Sequence, residues 1–255
     1  MKDYKINKEL IMKKIFKVIL LFVSILFITA GCDESITDSN GIKGSGNVVD
    51  VAIDFTNFSK VEGGNAFKIN ITKGEVYSVV LKVDDNIVKY LEVSKEGNAL
   101  KVFLENGHSF NNVTLEAYIT IPNLESVNFS GAVNASINNF EFENDLNVEL
   151  SGASNLTSNI KTGDVIFKIS GASRATLSGR GENISANVSG ASSLQLFNFS
   201  IINANLNISG ASSSTLNISG LLNANISGAS SLYYSGNPTM GNINISGAST
   251  IQRLN

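Results

Sequence analysis

The chain has 255 residues, a formal net charge of −3 and 16% charged residues, against the ~25% usual in globular domains. That balance excludes the basic footprint of a nucleic-acid-binding surface, and the single cysteine, Cys32, excludes a disulfide framework. Low charge with abundant Gly, Ser and Asn fits either disorder or stacked β structure, and the apolar alternation described below selects the second.

Lys13, Lys14 and Lys17 precede an apolar run over 18–28 that is broken only by Ser24, and Thr29-Ala30-Gly31 and Cys32 follow. A positive segment, a short apolar segment and small residues before a cleavage point are the layout of a secretory signal peptide, here over 1–31. The run is shorter than the ~20 residues that cross a bilayer as a helix. FITAGC resembles the lipobox of bacterial lipoproteins, with Thr29 where that motif prefers Leu. The resemblance implies that Cys32 is lipidated and becomes the first residue of the mature chain. Several acyl chains, at ~0.8 kcal/mol per buried CH₂, would then hold the protein to a membrane. Met12 offers a second start with a conventional signal length. The polar residues after Cys32, with Gly41, Gly44 and Gly46, predict a flexible tether over 32–47. Asp33-Glu34 within it resembles the surface-export signals of Bacteroidetes-type lipoproteins.

Over 48–121 the segments VDVAIDF (49–55), FKINI (67–71) and LKVFL (100–104) alternate apolar and polar residues. Gly63-Gly64, Lys73-Gly74, Asp84-Asp85-Asn86 and Gly97-Asn98 punctuate them as turns. These are predicted strands, arranged either as wider, less regular coils capping the N-terminal end of a stack or as a separate small sandwich. No segment carries the pattern of a long helix.

From 122 to 255 the sequence repeats. Ser-Gly-Ala recurs at Ser130, Ser151, Ser170, Ser189, Ser209, Ser227 and Ser246, with spacings of 21, 19, 19, 20, 18 and 19 residues. The residue before each serine is apolar (Phe129, Leu150, Ile169, Val188, Ile208, Ile226, Ile245), as is the residue three before it (Val127 to Ile243). Between them stands a polar side chain every time, Asn in five of the seven copies. Such alternation predicts a strand with one buried face. Five residues after the serine the chain is apolar again, as at Leu156, Leu194 and Leu232, with Ser214 the exception. Each unit therefore reads as strand, tight corner, second strand and looser return. One unit cannot bury its own apolar face, so copies must stack. The predicted fold is an all-β solenoid, or β-helix, of about seven ~19-residue coils, a rod of roughly 30 Å at ~4.8 Å per coil. Aliphatic ladders would run inside it and an Asn ladder outside.

GSGNVV at 44–49, FSKVEGGNAFKINITKG, IPNLESV, the Ser-Gly-Ala repeats and the closing LYYSGNP together resemble the auto-transporter adhesin, head GIN domain family over roughly 48–238. The resemblance implies a β-helical fold and export by a signal peptide. It supplies no binding residues that could be matched to this sequence.

Catalytic constellations are not formed by these residues. The only histidine, His108, lies in a Gly- and Ser-containing loop without a matching nucleophile. From Val165 onward only Lys168, Arg174, Arg180, Glu182 and Arg253 are charged, so paired carboxylates for glycoside hydrolysis could come only from residues 84–145. Asp84, Asp85, Glu141, Glu143 and Asp145 read there as turn and loop chemistry. The Asp-rich nonapeptides of calcium-binding β-rolls are missing, and neither a metal site nor a cofactor motif is present. The many Asn-x-Ser/Thr triplets, such as Asn187-Val188-Ser189, follow from the repeat itself. Alternation turns one of Tyr233 and Tyr234 inward, and the last coils are expected to cap the open core. The reading is a non-catalytic lipoprotein of the cell envelope, held to the outer membrane through Cys32 on its periplasmic or surface face. It presents a solenoid to carbohydrate or protein, and self-association is equally compatible. The alternatives are a polysaccharide-acting enzyme on the same scaffold or a purely structural envelope component.

Overall fold

The computed structural model describes residues 41–141 and 144–254, and from Ile42 onward they belong to one compact unit. Period-two alternation builds strand pairs from Ser126–Phe129 with Asn134–Glu141 to Thr239–Ile245 with Thr250–Arg253. In each repeat the strand before Ser-Gly-Ala enters a ten-stranded sheet, and the strand after it enters an eleven-stranded sheet. Successive repeats pair in parallel: Val148 lies between Val127 and Phe167, and Leu150 between Phe129 and Ile169. The predicted inward columns form the core. Phe129, Leu150, Ile169, Val188, Ile208 and Ile226 are all buried, as are Leu156, Ala175, Leu194 and Leu232 in the facing sheet. The β-solenoid read from the sequence is the fold.

The Ser-Gly-Ala corner is closed by its own ladder. From Ala153 onward each alanine amide donates to the glycine carbonyl of the coil before, as Ala191 does to Gly171 and Ala211 to Gly190, at 2.7 and 2.8 Å. Gly190 has φ +76°, and a Cβ there would run into the carbonyl oxygen of Gly171. Glycine is therefore required on two grounds, conformation and space. A second element of the corner is the serine that follows Ala. Ser154, Ser173, Ser192, Ser212 and Ser230 are buried. Ser173 Oγ accepts from the Ser154 amide and Ser230 Oγ from the Ser212 amide. Ser230 Oγ in turn donates to the Gly210 carbonyl. Outside, the Asn ladder forms as expected: Asn207 donates to Asn187, Asn225 to Asn207 and Asn244 to Asn225, at 2.7–3.0 Å.

Apart from Phe110–Asn111, the strands of residues 48–121 join the same two sheets and are not a separate sandwich. Lys60–Gly63 and Lys68–Lys73 form the coil next to the first Ser-Gly-Ala unit. Ala99–Leu104 and Leu115–Ile121 pair beyond it. The outermost layer differs from the wider coils expected. Leu91–Glu96 lies antiparallel to Ala99–Leu104, and Ser78–Asp84 and Val48–Ile53 follow antiparallel on Leu115–Ile121. For the first of these pairs the physical reason is turn length, since the two residues Gly97-Asn98 can reverse a chain but cannot carry a parallel crossover.

Of the tether expected over 32–47, residues 32–40 lie outside the described residues, and Ile42–Lys43 is a strand that pairs in parallel with Phe110–Asn111. Asp84, Asp85 and Asn86 then hold the next residues. Asp84 Oδ1 accepts from the Gly46 amide at 2.7 Å and its Oδ2 from the Thr114 amide at 2.6 Å. Asp85 accepts from the Ser45 hydroxyl and from Asn47. Asn86 accepts from the Ser45 amide and donates to the Lys43 carbonyl. Asp85 and Asn86 also open a short 3₁₀ helix, Asp85–Tyr90.

At the other end the cap expected from the last coils is not built. Thr239–Ile245 and Thr250–Arg253 are the outermost strands of the two sheets. Tyr234 packs on the core and Tyr233 faces outward, but the coil beyond them continues the stack. It leaves Ile245 46% exposed because nothing described covers it.

Candidate binding groove

The corner opposite Ser-Gly-Ala is irregular. Its links between sheets are residues 162–164, 181–182, 202 alone, 219–220 and 236–238 in successive coils. The shortening toward Ile202 accompanies bulges in the strands, with pairing shifts between Asn138 and Phe140 and between Leu196 and Ser200. Along this corner runs a groove of about 700 Å³, lined among others by Lys161, Thr162, Arg180, Glu182, Ser200 and Ile202. A smaller recess of about 350 Å³ adjoins it, shares Lys161 and is lined also by Asn139 and Glu141.

Register sets the order of its groups. Glu141 pairs with Lys161, Lys161 with Arg180 and Arg180 with Ser200 on consecutive strands, so four chemically distinct side chains stand in one row about 14 Å long. Lys161 Nζ contacts Glu141 Oε1 at 2.6 Å, and Lys73 Nζ reaches the Glu141 carbonyl at 3.4 Å. The hydrogen bond from Lys161 holds the Glu141 carboxyl below the usual carboxylate range, helped by the charges of Lys161, Arg180 and Lys73. Arg180 is exposed and makes no ion pair among the described residues. Ser200 accepts from Asn217, which leaves its hydroxyl proton available, and Ser219 donates to the Ile201 carbonyl, which leaves its oxygen available as an acceptor. Ile202 is 50% exposed, an apolar surface among these polar groups. Such a set offers hydrogen-bond donors, acceptors and charges of both signs along one groove.

The remaining sequence-derived residues are placed as follows. Cys32 and the signal segment lie outside the described residues, as does Glu143. His108 is not simply a solvated loop residue: it packs on Tyr90, ring centroids 4.9 Å apart, and lies 3.8 Å from Glu105. Asp145 accepts from the Asp164 amide, and Asp164 from Asn183, so this acid belongs to a structural ladder. The described residues hold no cluster of three metal-ligating side chains, and none of their helices is long and apolar enough to cross a membrane. Sequence reasoning passed over Lys161 and gave no role to Arg180 or Glu182, although counting from the repeat serine places Lys161 and Arg180 at the same position in adjacent copies.

A family model described as "Putative auto-transporter adhesin, head GIN domain" matches residues 57–238. The chain belongs to this family. The sequence matches no curated protein. Among solved structures, a "putative adhesin" from Bacteroides fragilis is 20% identical, with a TM-score of 0.76 over 84% of this chain and 100% of that one. A "putative adhesin" from Parabacteroides merdae is 18% identical, with a TM-score of 0.64 over 84% and 99%. A "putative lipid binding protein" from Parabacteroides distasonis is 20% identical, again with a TM-score of 0.64 over 84% and 99%. At these identities the neighbours share the fold with this head GIN domain protein. The matched range takes in the irregular corner and Asp84–Asn86, while the residues these clasp, Lys43–Asn47, precede it.

Proposed function

We propose that the protein is a non-catalytic binding module of the cell envelope, anchored through lipidated Cys32, that engages carbohydrate or a protein partner. The observation that carries this reading is what faces outward. The solenoid presents rows of Asn, Ser and Thr, with the Asn207, Asn225 and Asn244 amides bonded into a ladder, and one mixed groove along a corner. Neutral donors and acceptors at fixed spacing suit hydroxyl-rich or backbone-like ligands. The acids that an enzyme would need are engaged elsewhere: Asp84 by backbone amides, Asp85 by Ser45 and Asn47, Glu141 by Lys161. Adhesin is also the description that the family carries.

Two measurements test the reading. A glycan and matrix-protein array probed with the full chain in detergent should show saturable binding that survives moderate salt. Silence from folded protein transfers the weight to a structural role. Cys32→Ala should move the protein from the membrane to the soluble fraction and abolish labelling by a fatty-acid probe. Retention at the membrane would reject the anchor.

A further inference from the structure

We infer that the corner groove is a site for a carboxylate-bearing glycan, with Arg180 as the group that takes the carboxylate. This rests on the binding-module reading and names its ligand class. The body has few charges, yet Lys73 and Lys161 both reach Glu141, and Arg180 stands one strand beyond Lys161 in the same row. Lys161 is taken by Glu141 at 2.6 Å. Lys73 is spent partly on the Glu141 carbonyl. Arg180, on the next strand, keeps an exposed guanidinium without an ion pair among the described residues. A planar guanidinium offers the paired donors that a carboxylate accepts, which a lysine cannot reproduce.

The neighbours of Arg180 complete a saccharide-like environment. Glu182 lines the same groove and can accept from sugar hydroxyls. Ser200 can donate and Ser219 can accept, as their existing hydrogen bonds leave those capacities open. Ile202 supplies an apolar face against which the C–H face of a sugar ring can lie. A simple anion would use Arg180 and leave Glu182 opposed to it. An uncharged glycan would use the hydroxyls and leave the guanidinium without a partner. An acidic sugar uses both. The row also repeats once per coil, ~4.8 Å, so a linear polymer lying along the corner meets new groups at each coil.

The test uses the full chain in detergent, titrated calorimetrically with polygalacturonate and alginate and with the methyl ester of polygalacturonate, which keeps the chain and removes the charge. Binding of an acidic polymer, at least tenfold weaker for the ester and at least tenfold weaker for Arg180→Gln, supports the inference. Arg180→Lys should recover only part of the loss. Gln195→Ala, on the outer face of the second sheet, is the control and should leave binding unchanged. The inference is overturned if acid and ester bind alike, if Gln195→Ala weakens binding as much as Arg180→Gln, or if inorganic phosphate displaces the polymer as well as free galacturonate does. It is also overturned if neither acidic polymer binds to folded protein. In each of those cases the array decides separately whether the broader binding reading stands. Unchanged melting temperatures keep a folding defect from imitating the result.

Discussion

Ser214 interrupts a column that is otherwise apolar. It stands between Leu194 and Leu232 in register, it is 0% exposed, and its Oγ has no hydrogen-bond partner. Leaving a buried hydroxyl unpaired costs about 1–3 kcal/mol. Ser214→Ala removes that oxygen and leaves a gap of one heavy atom, which returns a few tenths of the gain as lost contacts. The expected net is a stabilisation of about 1–2 kcal/mol, or roughly 2–8 °C in melting temperature for a body of this size. Ser230 is the internal control. It is equally buried, but it accepts from the Ser212 amide and donates to the Gly210 carbonyl at 3.3 Å. Ser230→Ala should therefore destabilise by about 1–3 kcal/mol, because it strands a buried amide. Thermal and urea unfolding followed by circular dichroism would measure both. Opposite signs at two buried serines are the specific outcome. A melting temperature for Ser214→Ala equal to or below that of the parent would refute the argument, since the hydroxyl must then have a partner.

Three further outcomes follow from the geometry. Gly190→Ala should cost more than 2 kcal/mol, combining a positive φ with collision against Gly171, whereas Gly97→Ala, also at positive φ but in open space, should cost about 1 kcal/mol; equal losses would mean that the corner can widen. Ile208→Asn places an amide in the packed column and should cost several kcal/mol, of which about 1–3 is desolvation. An unchanged melting temperature there would reject the inward assignment. The Asp85 carboxyl is held low by its hydrogen bonds from Ser45 and then Asn47. A depressed folded-state pKa stabilises above the ordinary value and is lost as the pH drops through the folded one. Asp85→Asn should thus be less stable than the parent near pH 7, and the gap should close as the pH is lowered below about 4. A gap that widens in acid would show that Asp85 is not stabilised in its charged form.

Most of the fold is legible because the repeat states the same physics seven times. The apolar positions before each serine, the outward Asn ladder and the glycine corner each follow from alternation and from stacking at one strand spacing. The buried serine after Ala was equally visible in the spacing, at Ser154, Ser173, Ser192, Ser212 and Ser230, but a polar residue beside a turn is ordinarily read as solvated. What could not be read was order in the stack. Nothing local in Lys60–Gly63 says that it sits next to Ser126–Phe129 while the later strand Ala99–Leu104 lies one layer further out. That arrangement depends on which segments reverse through two-residue turns and which cross over, and it appears only once all the strands compete for the same edges. The clasp around Lys43–Asn47 was hidden for a related reason: glycine-rich, polar sequence reads as tether until Asp84, Asp85 and Asn86 are brought beside it.

The candidate groove lies where the repeat rule is broken. A perfect solenoid would present the same flat row at every coil, and such a row could not distinguish one position on a ligand from another. Here the Ser-Gly-Ala corner is kept constant by the Gly-to-Ala ladder, which tolerates neither an inserted residue nor a Cβ at Gly190. Length variation is thereby confined to the other corner and to the strand ends that feed it. The unequal spacings of 21, 20 and 18 residues are its trace in the sequence, and the pairing shifts at Asn138/Phe140, Leu196/Ser200 and Leu222/Ala224 are its trace in the sheets. Glu141, Lys161, Arg180 and Ser200 stand in one row because the bulges shift the pairing that brings Glu141 opposite Lys161 and Ser200 opposite Arg180, yet they differ because the packing of the core does not constrain that outward position. One corner holds the stack together, and the other is left free to vary in length and in its side chains.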